Sequence, residues 1–160
     1  MLLLPIVLIF LKFAFVNIFS LPWSLFEPLL ACVILYTFFH SFDTKDYVLY
    51  ALFCGFLGEI FSADAFGIHI IAYLAVAFCV ALICVVIYRE NRLFLFPVVF
   101  VGTWLGNAVI VFLKSFFSHA AAGPAIGPFL LGGIAESAGN TLLVYLLDLF
   151  SKRCGLEFIK

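Results

Sequence analysis

The sequence predicts an all-α integral membrane protein, a six-transmembrane-helix bundle with both termini cytoplasmic. Of its 160 residues, 67% are hydrophobic and only 11% are charged, whereas a soluble domain carries about 25% charged residues. The apolar residues fall into six runs separated by short breaks. No water-covered surface can be built from that composition, and the length suits one compact bundle. We therefore expect a single transmembrane domain over residues 1–160.

The six predicted spans cover residues 2–20, 26–42, 47–63, 68–88, 93–114 and 128–150. The last three reach the roughly 20 residues that a helix needs to cross the hydrocarbon core. The second and third are short. Pro28 is expected at an early position of span 2, where a helix tolerates proline. A hairpin that fails to cross the membrane is the alternative for this span.

The first run of apolar residues is predicted to be a retained span and not a signal peptide. It lacks a basic segment before the apolar run, and no small-residue cleavage site follows it. Pro5 and Lys12 also interrupt the run. Lys12 lies midway along the span, where its ammonium can pair with an acid such as Glu136.

The positive charges give the orientation. With the N-terminus inside, six of the eight basic residues lie on the inner side and only Lys114 lies on the outer side. Cytoplasmic loops of membrane proteins carry such an excess of lysine and arginine. The distribution supports six spans, since the loss of one span would scramble it.

The longest predicted loop covers residues 115–127, SFFSHAAAGPAIG. It is apolar, rich in Ala, Gly and Pro, and outer-facing on this topology. Two forms remain open for it, a short interfacial helix and a re-entrant segment.

Composition and missing motifs limit the possible functions. The net charge is −1 and no basic block occurs, so no nucleic-acid partner is expected. The clustered aspartates of a phosphotransferase and the HExxH motif of a zinc protease are also missing. These absences disfavour an enzyme without excluding one, and we expect no catalytic, cofactor-binding or metal-binding residues.

Span 3 ends in a segment with glycines and acids, GFLGEIFSADAFG at residues 55–67. Gly55 and Glu59 are one turn apart on one helix face, so a neighbouring helix can approach beside the acid. Asp64 belongs to the short polar break that follows. On the predicted topology this segment is a hinge at the outer surface between spans 3 and 4, which favours a structural or contact role over catalysis.

Span 5 carries a second set of small and polar residues. Gly102 and Gly106 have the GxxxG spacing that favours close helix contact, and Asn107 follows them. Both glycines are therefore candidates for contact with a partner helix.

Span 6 contains GGIAESAGNT, in which Gly132, Glu136 and Asn140 recur every four residues. This spacing predicts one narrow stripe of small and polar side chains. Because the rest of the helix is rich in Leu, the stripe is expected to face protein and not lipid.

Two interpretations apply to the polar groups Glu59, Asn107, Glu136 and Asn140. They can line a polar pocket for a ligand or a partner, as acids inside membrane spans often do. They can also form hydrogen bonds across spans 3, 5 and 6 that fix the bundle, each contributing about 0.6–2 kcal/mol. The structural interpretation is favoured, because the acids lie towards the span ends.

Several segments together resemble the rod shape-determining protein MreD family of bacteria. These are the acidic segment at 55–67, the long apolar helix ending in YRENR, and NTLLVYLLDLFSKR at 140–153, which runs into a basic tail. The resemblance covers most of the chain in size and six-span layout. The family usually has Asp where Glu59 stands here, so the acid is kept but lengthened.

The resemblance implies a subunit of the cell-elongation machinery, which directs peptidoglycan synthesis, in the bacterial inner membrane. The expected partners are an MreC-like bitopic membrane protein, an MreB-like actin homologue and the peptidoglycan glycosyltransferase/transpeptidase pair. The protein would act as a scaffold that binds partner transmembrane helices within the lipid bilayer. No cofactor is implied.

The alternative is the substrate-binding S component of an energy-coupling-factor vitamin transporter. That class is also a six-span bundle, and Glu59, Asp64, Glu136 and Asn140 can line its outward pocket. Against it, only Ala14 lies near the centre of span 1, where a small-residue coupling face is needed.

Overall fold

The computed structural model describes residues 3–19, 27–40, 44–62, 65–86, 94–117 and 126–154. These ranges contain six α-helices and no strand, which confirms the all-α class. The helices are α1 Leu3–Phe19, α2 Pro28–His40, α3 Thr44–Phe61, α4 Ile68–Val86, α5 Leu95–Phe117 and α6 Ile126–Cys154.

The helix bounds follow the six predicted spans within a few residues. Helix α2 begins at Pro28, which takes the first helical position, where its missing N–H costs nothing. Helices α5 and α6 extend into the two ends of the 115–127 segment. Residues 118–125 of that segment lie outside the described residues, so the interfacial helix and the re-entrant segment predicted over 115–127 both stay predictions.

The short helix α2 lies at the centre of the fold. It packs against each of the other five helices, and every residue from Pro28 to Ile34 is buried. With 13 residues it is about 20 Å long, shorter than the roughly 30 Å hydrocarbon core of a bilayer. A helix that is apolar on all sides and enclosed by others is a core element.

Two helices are long and apolar enough to cross a membrane, over Ile68–Val85 and Leu95–Phe117. The helical stretches Leu4–Ala14 and Pro28–His40 are apolar but shorter. Length and composition therefore indicate membrane association for two helices, and six spans remain a prediction.

The GxxxG glycines of α5 face α2. A Cβ atom added to Gly106 would lie 2.7 Å from Leu30 Cδ2, and one added to Gly102 would lie 3.0 Å from Ile34 Cδ1. The spacing thus produces a close helix contact, but the contact lies within the chain. Both glycines are buried, so neither is accessible to a helix of another protein.

Candidate functional site

Acidic side chains concentrate at the end of the bundle where α3 ends and where α2 and α4 begin. The first of these sites is the junction of α3 and α4. The Glu59 carboxylate reaches forward from the last turn of α3, and its Oε1 accepts hydrogen bonds from the backbone N–H groups of His69 at 2.6 Å and Ile70 at 3.3 Å. We call this arrangement the α4 cap.

The α4 cap satisfies N–H groups that a helix leaves without partners in its first turn. It also places a negative charge at the positive end of the helix dipole. The Glu59 side chain is only 1% exposed, so water does not compete for these bonds. The acid that marks the 55–67 segment therefore fixes the start of α4.

Two glycines make the α4 cap possible. A Cβ atom on Gly55 would lie 2.7 Å from the Ile70 Cα atom, a collision with backbone that cannot rotate away. Gly67 has φ of 104°, in the region that favours glycine, and its carbonyl accepts the first bond of α4 from the Ile71 N–H at 3.0 Å. The close contact at Gly55 and the left-handed conformation of Gly67 allow α4 to pack against α3.

The second acidic site is centred on Glu27, the residue before α2. Its backbone N–H donates to Asn140 Oδ1 at 2.9 Å, and its carboxylate Oε1 accepts from the Tyr73 hydroxyl at 2.9 Å. Because Tyr73 belongs to α4 and Asn140 to α6, one residue ties the start of α2 to two other helices. The Glu27 side chain is 21% exposed.

Asn140 makes a further bond, from Nδ2 to Thr103 Oγ1 of α5 at 3.2 Å. Both side chains are fully buried. A buried amide that both donates and accepts stabilises the bundle, because neither group is left without a partner. Asn140 thus joins α6 to α5 and to the start of α2.

Glu136 lies one turn before Asn140 and faces the same region. Its carboxyl group interacts electrostatically with the side chains of Glu27 and Lys12, and it lies near the Asn107 amide. The Lys12 ammonium interacts in the same way with Glu27 and Glu136. We call Lys12, Glu27 and Glu136 the carboxyl–lysine cluster.

Hydrogen bonding in this cluster is incomplete. Glu136 Oε1 and Asn107 Nδ2 are both buried, and neither has a partner at hydrogen-bond geometry although the two groups are close. Glu136 is only 9% exposed. A buried acceptor without a donor is costly, so this carboxyl group is suited to receive a hydrogen-bond donor.

His69 lies between the two acidic sites. Its Nδ1 is 3.7 Å from Glu59 Oε1, and its Nε2 is 4.0 Å from Glu27 Oε1. Both distances exceed a hydrogen bond, and Nδ1 is buried without a partner. The imidazole thus packs between two carboxylates without a hydrogen bond to either.

Of the polar side chains singled out from the sequence, Glu136, Asn107 and Asn140 come together. Glu59 lies at the same end of the bundle but serves the α4 cap, separated from the others by His69. Asp64 lies outside the described residues.

Gly132 departs from the predicted stripe. It is exposed, and an added Cβ atom would have nothing within 4 Å. Its neighbour Gly133 contacts Trp104 of α5 instead. Four residues of an α-helix turn by about 40° more than one full turn. Gly132 therefore lies outside the buried face of α6 that Glu136 and Asn140 share.

Glu27, Tyr73 and Thr103 were not recognised as site residues from the sequence. Glu27 had one signal, an acid directly before the proline that begins α2. A hydroxyl within an apolar run, as in Tyr73 and Thr103, gives no comparable signal. Lys12 interacts electrostatically with Glu27 first and with Glu136 second, so its pairing with Glu136 stays a prediction.

Within the described ranges, no group of three His, Cys, Asp or Glu side chains is arranged to hold a metal ion. Comparisons with family models, curated proteins and solved structures found no match to this chain.

Proposed function

We propose that this chain is a multi-pass protein of the bacterial inner membrane, with six spans and both termini in the cytoplasm. The outward surface of the helices supports this placement. Leu82 and Val85 on α4, Phe112 on α5 and Leu131 on α6 are each at least two-thirds exposed. Exposed apolar side chains on several helices suit lipid as the surrounding solvent.

The function we propose is that of a non-enzymatic MreD-like subunit of the cell-elongation complex. It would bind the transmembrane helix of an MreC-like bitopic protein, in a complex with an MreB-like protein and the peptidoglycan glycosyltransferase/transpeptidase pair. The residues that carry the resemblance support this proposal, because Gly55, Glu59 and Asn140 have defined structural roles. They join helices within the chain.

One observation carries the partner-binding part of the proposal, the exposed face of α6. Gly132, Ala135 and Ala138 are exposed along one side of the helix, followed by Leu142 and Leu146. Small residues allow two helix backbones to approach within a membrane. The glycines of α5 already contact α2, so α6 presents the small-residue face that a partner helix can use.

Co-purification with an MreC-like partner from the same genome tests this proposal. Gly132→Leu should keep the fold, since an added Cβ meets open space. It should reduce the recovered partner about tenfold, which corresponds to about 1.4 kcal/mol. Ala14→Leu is the matched control, because it enlarges an exposed small residue on α1 and should leave recovery unchanged. Full recovery with folded Gly132→Leu would rule out this contact face.

The S component of a vitamin transporter is the second candidate, and the carboxyl–lysine cluster is the observation that favours it. Glu136 Oε1 and Asn107 Nδ2 are buried without a hydrogen-bond partner, and polar atoms of this kind at one end of a helical bundle suit a small polar ligand. The same two variants separate the candidates, since a transporter component would depend on Ala14 for coupling and would co-purify with a vitamin.

A further inference from the structure

We propose that the imidazole of His69 is a proton-binding clamp between two acids. When the ring takes up a proton, Nδ1 donates to Glu59 and Nε2 donates to Glu27. The bound proton thereby joins the start of α4 to the end of α3 and to the residue before α2. This site stands on the geometry of three side chains and does not depend on partner binding.

Each ring nitrogen of His69 faces a carboxylate oxygen from a different segment. Nδ1 is 3.7 Å from Glu59 Oε1, and Nε2 is 4.0 Å from Glu27 Oε1. Both distances lie within the range of an ion pair. Each has to shorten by less than about 1 Å to reach the hydrogen-bond range. The two acids thus lie on the two sides of the ring from which a protonated imidazole donates.

Both of these oxygens act as hydrogen-bond acceptors. Glu59 Oε1 accepts from the His69 backbone N–H at 2.6 Å, and Glu27 Oε1 accepts from the Tyr73 hydroxyl at 2.9 Å. A neutral imidazole has one N–H donor, so its other nitrogen would direct a lone pair at an acceptor. Only the protonated ring presents a donor to each acid.

Two buried atoms of this site have no hydrogen-bond partner, His69 Nδ1 and Glu59 Oε2. A proton on Nδ1 makes this nitrogen a donor, which is the kind of partner that the Glu59 carboxylate lacks. The site is enclosed, since the side chain of His69 is 8% exposed and that of Glu59 is 1% exposed. The clamp therefore uses atoms that the α4 cap leaves without a bond.

A charged imidazole at this place requires carboxylate partners. His69 lies in the first turn of α4, where the helix dipole disfavours a cation, and burial disfavours any charge that is unpaired. The structure provides one carboxylate for each ring nitrogen. The Glu27 side chain is 21% exposed, so a proton can reach the ring from the side of Nε2.

The titratable groups around His69 come from each element that packs against α4. Helix α5 contributes only one charged residue, in its last turn. Lys12 and Glu136 interact electrostatically with Glu27. By element, the groups are Glu59 of α3, Glu27 before α2, Tyr73 of α4 with its ring centroid 6.1 Å from that of His69, Lys114 of α5, and Lys12 and Glu136 of α1 and α6.

Solid-state NMR of the full chain in lipid vesicles, with 15N-labelled histidine and 13C-labelled glutamate, tests the clamp. Spectra are recorded at about pH 5 and about pH 8, at the two ends of the range in which histidine changes charge. At the lower pH, both ring nitrogens of His69 should be protonated and each should lie within hydrogen-bond distance of a glutamate carboxyl group. At the higher pH, at least one of these contacts should be lost. A ring that stays neutral at the lower pH, or a protonated ring without two carboxyl contacts, would overturn the proposal.

Three variants identify the two acids, and His69→Gln identifies the signals of this ring. Glu59→Gln should remove the contact of Nδ1, and Glu27→Gln should remove that of Nε2. Glu136→Gln removes another buried acid and is the matched control, which should keep both contacts. A contact that persists without its acid, or that is lost in Glu136→Gln, would assign the site elsewhere and overturn the proposal. The wild-type measurement stands by itself if a variant fails to fold.

Discussion

The α4 cap and the carboxyl–lysine cluster solve the same problem, a buried acid in an apolar bundle, in different ways. In the α4 cap, Glu59 Oε1 is held by backbone N–H groups ten and eleven residues further along the chain, whereas its Oε2 has no donor. In the cluster, Glu27 is held by the Tyr73 hydroxyl of a distant helix, and Glu136 Oε1 is buried without a donor. The first arrangement uses fixed backbone donors, and the second uses side chains from other helices.

This difference separates a structural acid from one with the capacity to respond. A carboxylate on a helix N-terminus has its charge compensated by dipoles that do not change. A carboxyl pair beside a lysine changes its net charge whenever a proton enters or leaves. We therefore expect substitutions in the α4 cap and in the carboxyl–lysine cluster to change the free energy of unfolding by different amounts and for different reasons.

The largest effect is expected at the helix contact beside the α4 cap. Gly55→Ala should lower the free energy of unfolding by about 3 kcal/mol, because its Cβ atom meets the Ile70 backbone. Gly132→Ala is the matched control and should change stability by less than about 0.5 kcal/mol. Thermal unfolding in detergent measures both, and equal effects would show that α3 and α4 do not approach so closely.

The next effect is expected where the cluster joins the rest of the bundle. Asn140→Ala should cost about 2 kcal/mol, since it leaves the Glu27 N–H and the Thr103 hydroxyl without their partner. Thr103→Val removes only one of these bonds and should cost about half as much. If the two variants are equally stable in the same unfolding assay, the bond to Glu27 contributes nothing.

The smallest effect compares the two acids by one substitution. Glu59→Gln should cost about 1 kcal/mol, because the α4 cap uses the charge of the carboxylate. Glu136→Gln should cost less than about 0.5 kcal/mol, because the buried Oε1 of Glu136 has no hydrogen bond to lose. Unfolding midpoints at neutral pH give both values. A larger loss of stability in Glu136→Gln than in Glu59→Gln would show that Glu136, and not Glu59, is the acid that stabilises the fold more.

Much of the fold can be predicted from hydropathy. Each apolar run is long enough to form one helix, and each break between runs is too short to contain another helix. The partners of Glu59 were also within reach of sequence reasoning. The acid, the glycine turn and the start of α4 are adjacent, so their geometry is local. The 55–67 segment was correctly placed at the junction of α3 and α4.

The cluster was only partly predictable, because it depends on how helices sit beside one another. Periodicity shows that Glu136 and Asn140 share a face, but not that Glu27, which is 113 residues before Asn140, meets it. The same limit applies to Gly102 and Gly106. Their spacing predicts a close helix contact, yet nothing in it distinguishes a helix of the same chain from a partner.

The sequence separations within the two sites also impose an order on biosynthesis. Glu59 and its donors are ten residues apart, so the α3–α4 hairpin can satisfy its acid as soon as both helices have left the ribosome. Glu27 meets Asn140 only after almost the whole chain has been made. The Glu27 N–H at the start of α2 therefore lacks its Asn140 partner until α6 has been synthesised and packs against α2.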